Sequence, residues 1–346
     1  MNSLLATGIG LAVLSGLMNG TFTLPMRYLG KWSWENVWTV FIVVACVVMP
    51  VAMFLATVTH PFAVLSAAPT RAELIAIATG FMWGFGAVMF GQGVSALGIS
   101  MGNTLVLAIS ASLGSFLPML ILAPERLGQP QGEYLIFGTV VAMAGIGCCG
   151  YAGILRERSE KDHQDTPREM VGAARPLWAG LLLCSGAGLL SAGFNIGYSF
   201  SQGIISTAIQ IGNGPFAGSN VIWLLVLMSG AVSNLGFCAY LFRKNRSWSN
   251  FSRPGVAPLY GLAILMGLLW GGSIFAYGAA APNLGKLGPA IGWPISLTAG
   301  LLTANFCGLL AGEWKLARIS SRRWMLLGLA ILVFSIAVLG WSGSKG

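Results

Sequence analysis

The stretch A-I-A-T-G-F-M-W-G, Ala76 to Gly84, continues through Gly91 to Leu97-Gly98 and returns 187 positions later. At that offset Ala76, Ile77, Gly80, Trp83, Gly84, Gly91, Leu97 and Gly98 meet Ala263, Ile264, Gly267, Trp270, Gly271, Gly278, Leu284 and Gly285. Eight identities in one gapless register exceed what apolar composition supplies, and self-similarity at a fixed separation marks a duplicated unit. A weaker match sets Gly16-Leu17 and Phe22 against Gly188-Leu189 and Phe194. Its offset is different, so loop lengths differ between the two copies.

With 55% hydrophobic and only 8% charged residues among 346, the chain cannot hide its apolar surface in a water-facing fold and has to sit in a lipid bilayer. The net charge of +9 comes from basic residues scattered through short loops between apolar spans. There the membrane accounts for them, and no nucleic-acid partner is expected. The six cysteines, Cys46, Cys148, Cys149, Cys184, Cys238 and Cys307, fall inside apolar spans without metal-ligand or disulfide spacing and read as small packing residues. Met1-Asn2-Ser3 runs directly into Leu4-Leu5 with no positive stretch before it, which reads as a retained first span.

Windows of about 20 apolar residues, the length that crosses the hydrocarbon core, occur near 4–24, 37–58, 72–92, 101–123 and 134–154, then near 177–198, 217–242, 257–279, 288–311 and 324–342. The substantial polar stretch is 156–175, R-E-R-S-E-K-D-H-Q-D-T-P-R-E within it, which reads as a solvated linker. Five spans before it and five after it mean that the second copy enters the bilayer from the opposite side. The expected fold is therefore an all-α polytopic membrane protein of ten transmembrane helices in a 5+5 inverted-topology repeat. Residues 1–155 form the first unit, 156–175 a cytoplasmic linker and 176–346 the second unit. Loops after spans 1, 3, 5, 7 and 9 hold fifteen Lys and Arg, against four on the other side. By the positive-inside rule both termini are periplasmic. Trp32, Trp34, Trp38, Trp248, Trp314 and Trp324 stand at span ends, where interfacial anchoring explains them.

Several activities are excluded by what the spans lack. The two histidines, His60 and His163, lie in a loop and in the linker, and all ten carboxylates lie in loops or near span ends. No D-D-x-x-D, H-E-x-x-H, G-x-S-x-G or Walker pattern occurs, so no enzyme, metal site or cofactor is expected. Charged or carbonyl filter motifs of ion channels are missing as well.

An uncharged interior holding amides, hydroxyls and aromatic rings suits a neutral polar solute such as a sugar, held by an apolar pocket with a few placed polar groups. Asn19, Thr23, Gln92, Asn103, Asn195, Trp293 and Asn305 could supply that pocket, although an Asn in a span also serves as interhelical glue. Trp83 and Trp270, equivalent under the repeat, would meet near the midplane, where transporters place substrate; bulky packing beside the flanking glycines is the alternative. Gly80-x-x-x-Gly84 and Gly267-x-x-x-Gly271 are small faces for close helix approach. Pro25, Pro118, Pro289 and Pro294 sit in or beside spans, where each can free a backbone carbonyl and permit a kink.

Five plus five inverted spans resemble the drug/metabolite transporter superfamily, and local strings resemble its bacterial L-rhamnose-proton symporter family. Those strings are Lys31-Trp32-Ser33-Trp34-Glu35, Met82-Trp83-Gly84 with Leu97-Gly98, Arg156-Glu157-Arg158, Asn234-Leu235-Gly236-Phe237-Cys238 and Glu313-Trp314. The resemblance implies import of a neutral deoxy sugar, L-rhamnose first, across the bacterial inner membrane by proton symport with alternating access. One departure stands out: the family carries titratable residues around the loop from span 8 into span 9. Here Ala279-Ala280-Ala281-Pro282 and Pro289-Ala290-Ile291-Gly292 are neutral, and Lys286 is the only charge. Glu35, Glu125 and Glu313 remain as proton-coupling candidates. On the residues alone, a uniporter or exporter of another small metabolite, or a non-transporting sugar sensor, stays open.

Overall fold

Inside a bilayer every backbone N–H and C=O must find its partner within the segment or in a neighbouring one, which makes long apolar stretches helical. The computed structural model describes residues 3–30, 32–97, 99–162, 177–310, 312, 314 and 317–345. Among the described residues ten segments are long and apolar enough to cross a membrane. They are span 1 Ser3–Met26, span 2 Trp34–Thr57, span 3 Thr70–Phe90, span 4 Thr104–Leu122 and span 5 Pro130–Arg156, then span 6 Trp178–Gln210, span 7 Pro215–Asn245, span 8 Ala257–Leu284, span 9 Gly288–Leu310 and span 10 Ile319–Gly343. Each window read from the sequence has its counterpart, and no strand is found among the described residues. Loops following odd-numbered spans lie on one face of the bundle, here the odd face; those following even-numbered spans lie on the even face.

Three departures from a plain helical span have local causes. Span 2 widens into a π segment at Val43–Val48 just before Pro50, which has no N–H to return to Cys46. Span 6 breaks at Ser201, between helices Leu177–Phe200 and Gln202–Gln210. Helix Pro130–Asp162 carries on past the apolar stretch, through Arg156 into the polar residues as far as Asp162. Arg, Glu and Lys in that run are good helix formers, so the helix outlasts the apolar stretch. Positions 163–175 of the expected linker lie outside the described residues, as do Gly98 and Glu313.

The repeated glycines each seat a helix on a neighbour, and the neighbour is not the other glycine helix. A Cβ on Gly80 would overlap the backbone oxygen of Val226, and one on Gly84 would overlap Ser233 Oγ, so span 3 lies against span 7. A Cβ on Gly267 would stand 2.7 Å from Val44 Cβ, and one on Gly271 2.5 Å from Met49 Sδ, so span 8 lies against span 2. Close approach of this kind is what drives helix association where lipid offers no hydrophobic advantage. Other large contacts join span 3 to span 6, span 8 to span 1, span 4 to span 6, span 9 to span 1, and span 5 to span 10.

Spans 2 and 7 are also tied at both ends by polar side chains. On the odd face Glu35 accepts hydrogen bonds from Ser247 Oγ and from Asn245 Nδ2 (3.0 Å), while Asn36 Nδ2 donates to Ser247 O at 3.2 Å. On the even face Asn213 accepts from Thr59 N at 2.7 Å and donates back to Thr59 O at 3.1 Å, and Asn220 Nδ2 donates to Thr57 Oγ1 at 2.8 Å.

Candidate substrate-binding site

Spans 1, 3, 4, 6, 8 and 9 line a partly open cavity at the centre of the bundle, with about 630 Å³ of empty space including its mouth. Trp83 and Trp270 stand in its wall with their rings stacked, 5.2 Å between centroids and 13° between planes. Phe194 tilts against Trp83 at 5.1 Å, and Trp293 completes the aromatic lining with Tyr277 edge-on at 5.5 Å. Among the described residues no charged side chain lines the cavity. A neutral solute enters such a space without the desolvation penalty that a charge would meet there.

The stacked indoles do not form a clamp around a ligand. A sugar ring held between two aromatic faces needs carbon contacts of about 3.5–4.0 Å on each side, roughly 7–8 Å in all. At 5.2 Å the two rings already fill each other's inner faces, so a solute meets them from the cavity side only.

Hydrogen-bonding groups surround the rings. Asn19, one turn after Ser15 on span 1, reaches the cavity and makes no side-chain hydrogen bond within the described protein. Ser191 is likewise unpartnered, whereas Ser15 and Ser296 bond each other at 2.7 Å and Ser273 donates to Trp270 O at 2.6 Å. These serines were not among the residues singled out from sequence. Helical spacing carries the signal that finds them: Trp270, Ser273 and Tyr277 fall at i, i+3 and i+7, Trp293 and Ser296 at i and i+3, Ser191 and Phe194 at i and i+3.

Of the nine residues expected to bind substrate, Asn19, Trp83, Trp270 and Trp293 line this cavity together. Asn195 does not line it, although it is fully buried beside it. Its Nδ2 donates to Gly114 O at 2.7 Å and to Pro289 O at 3.1 Å, and its Oδ1 accepts from the Tyr277 hydroxyl. The reason is visible in span 4. Pro118 lacks the N–H that would close the helical bond to Gly114 O, and Asn195 fills that vacancy from another helix. Asn195 thus has no amide proton left for a solute.

The other expectations are placed elsewhere. Thr23 is exposed beyond the end of the first helix, Ser3–Thr21, and Asn305 donates to Leu301 O of its own helix at 2.9 Å. Gln92 borders a separate cavity near the odd face, shared with Glu35, Trp34 and Asn245. Asn103 stands in helix Ile99–Leu122, and its side chain lies outside the described residues. Among the carboxylates, Glu35 is 2% exposed, Glu125 is exposed near the even face, and Glu313 is not described.

Comparison with known proteins places these features in a family. A family model described as L-rhamnose-proton symport protein matches residues 1–343. The chain is similar to proteins named L-rhamnose-proton symporter from Escherichia coli O1:K1 / APEC and from Shigella boydii serotype 18. Each is 24% identical over 347 residues, covering 98% of both chains. A crystal structure of another protein covers 96% of this chain and 96% of its own with a TM-score of 0.59 at 14% identity, a likeness of fold alone.

Proposed function

We infer the activity from the family: the chain belongs to the L-rhamnose-proton symport protein family, and it is a secondary transporter that carries L-rhamnose with protons across the bacterial inner membrane. It is a multi-pass membrane protein and not an enzyme. The observation that best carries the substrate reading is the uncharged central cavity. A 6-deoxy sugar offers hydroxyl groups on one part and a methyl group on another, and the cavity offers Asn19 and serine hydroxyls beside Trp83, Trp270, Phe194 and Trp293. Counterflow of labelled L-rhamnose in proteoliposomes tests it; absence of saturable exchange would overturn it.

For the proton we favour Glu35 over Glu125. A carboxylate that is 2% exposed and hydrogen-bonded across the span 2 and span 7 pair has a protonation state that the packing can feel. One proton moving down 100 mV supplies about 2.3 kcal/mol, enough for roughly fifty-fold accumulation of a neutral sugar.

The 5+5 inverted repeat is supported by the pattern of neighbours. Exchanging every span with the one five places on maps the pairs 3·6 and 8·1, 4·6 and 9·1, and 3·7 and 8·2 onto each other. Alternating access then consists of one five-span unit, 1–155 or 176–346, rocking against the other about the central cavity. The charge count supports an odd face in the cytoplasm and both termini in the periplasm.

A further inference from the structure

A second cavity, with about 1040 Å³ of empty space including its open mouth, lies beside the first, nearer the even face, and the same four spans 4, 6, 8 and 9 contribute to both. On span 8 the central cavity reaches Tyr277 and the second begins at Ala281. Four residues of helix rise about 6 Å, so the partition is about one turn thick. On span 4 Gly114 lies between Ser110, which faces the central cavity, and Pro118, which faces the second.

The partition is a single hydrogen-bonded layer. The Tyr277 hydroxyl donates to Asn195 Oδ1 and lies 3.1 Å from Pro289 O, and Asn195 holds Gly114 O and Pro289 O. All four spans meet in it, and the Tyr277 ring is at once part of the central wall. One turn beyond Asn195, Ser199 lines the second cavity at 3% exposure, and its hydroxyl has no partner among the described residues. A buried hydroxyl left unpaired is costly unless something else bonds it.

We propose that this second cavity, whose lining also holds Gln202 and, toward the even face, Glu125, Arg126 and Lys286, is an outer vestibule for the same neutral sugar, with Ser199 as a hydrogen-bonding group in it, and that the Asn195–Tyr277–Pro289 layer is the gate between vestibule and central site. The proposal rests on the transport reading above, and cysteine labelling separates the two. Ser199→Cys and Ser191→Cys report on the vestibule and the central cavity in turn. A membrane-impermeant methanethiosulfonate is applied to intact cells and to inverted vesicles, and labelling is counted above that of the parent chain.

From the face that reaches Ser199→Cys, Ser191→Cys should react at least tenfold more slowly while Tyr277 is intact. Tyr277→Phe keeps the ring and removes both hydroxyl contacts; it should speed Ser191→Cys about tenfold and leave Ser199→Cys unchanged. Equal rates at the two cysteines with Tyr277 intact would overturn the gate, and that comparison needs no Tyr277 variant to fold. So would an unchanged Ser191→Cys rate in correctly inserted Tyr277→Phe protein. L-rhamnose should slow labelling at both cysteines. Protection of Ser191→Cys alone would overturn the vestibule and leave the transport reading standing, whereas protection of neither would overturn both.

Discussion

Trp83 and Trp270, 187 positions apart in the chain, lie ring on ring at 5.2 Å and 13° in the wall of the central cavity. Among the described residues, this is where the two copies of the repeated motif touch aromatic to aromatic. Their glycines do a different task, holding each helix against a neighbour in the other half.

If the pair forms a wall of the sugar site, Trp83→Ala and Trp270→Ala each lower kcat/KM for L-rhamnose uptake by tenfold or more, while Phe at either position retains more. Loss of an aromatic contact is worth about 0.5–1.5 kcal/mol beyond lost area, and about 1.4 kcal/mol is a factor of ten. Initial rates in proteoliposomes, normalised to inserted protein, measure it. Wild-type rates in both Ala variants would remove the pair from the site.

Asn195 and Pro118 should be coupled in stability. Asn195→Ala leaves the carbonyl oxygens of Gly114 and Pro289 and the Tyr277 hydroxyl each short of one partner, a cost of about 1–3 kcal/mol for a buried group. Pro118→Ala restores an N–H that can close on Gly114 O. In that background Asn195→Ala should cost less, and thermal unfolding in detergent across the four-member cycle shows it. Strict additivity would refute the account of why Asn195 is there.

Gly80, the first glycine of one motif, and Gly271, the second glycine of the other, should differ in tolerance. At Gly80 a methyl group meets the Val226 carbonyl, which belongs to backbone and cannot turn aside. At Gly271 it meets the end of Met49, a flexible side chain. Gly80→Ala should therefore lower the melting temperature by an amount matching about 1–3 kcal/mol, and Gly271→Ala by clearly less. Equal losses would contradict the packing described.

Glu35→Gln should separate exchange from accumulation. With the proton carrier removed, L-rhamnose counterflow persists, whereas accumulation against a gradient falls from roughly fifty-fold at 100 mV toward unity. Glu125→Gln should keep accumulation. Vesicles with an imposed pH gradient, with and without protonophore, give the measurement; gradient-driven uptake intact in Glu35→Gln would move the proton elsewhere.

What the chain dictates locally was readable from its residues. The ten spans follow from apolar length, because a bilayer leaves the backbone no other partner than its own helix. Trp83 and Trp270 stood out through the repeat, and Gly80, Gly84, Gly267 and Gly271 through their spacing. The fate of each polar side chain was decided by tertiary structure. Asn19 and Asn195 look alike in sequence, yet one faces the cavity unpartnered and the other is held by Gly114, 81 positions away, because Pro118 left that carbonyl open. Gln92 belongs to a different cavity, and the serines that helical spacing sets beside the aromatic rings gain a common wall when six helices are brought together. Helix formation depends on neighbours along the chain, whereas the partner of a buried amide or hydroxyl sits on another helix, and only the packing of the bundle assigns it.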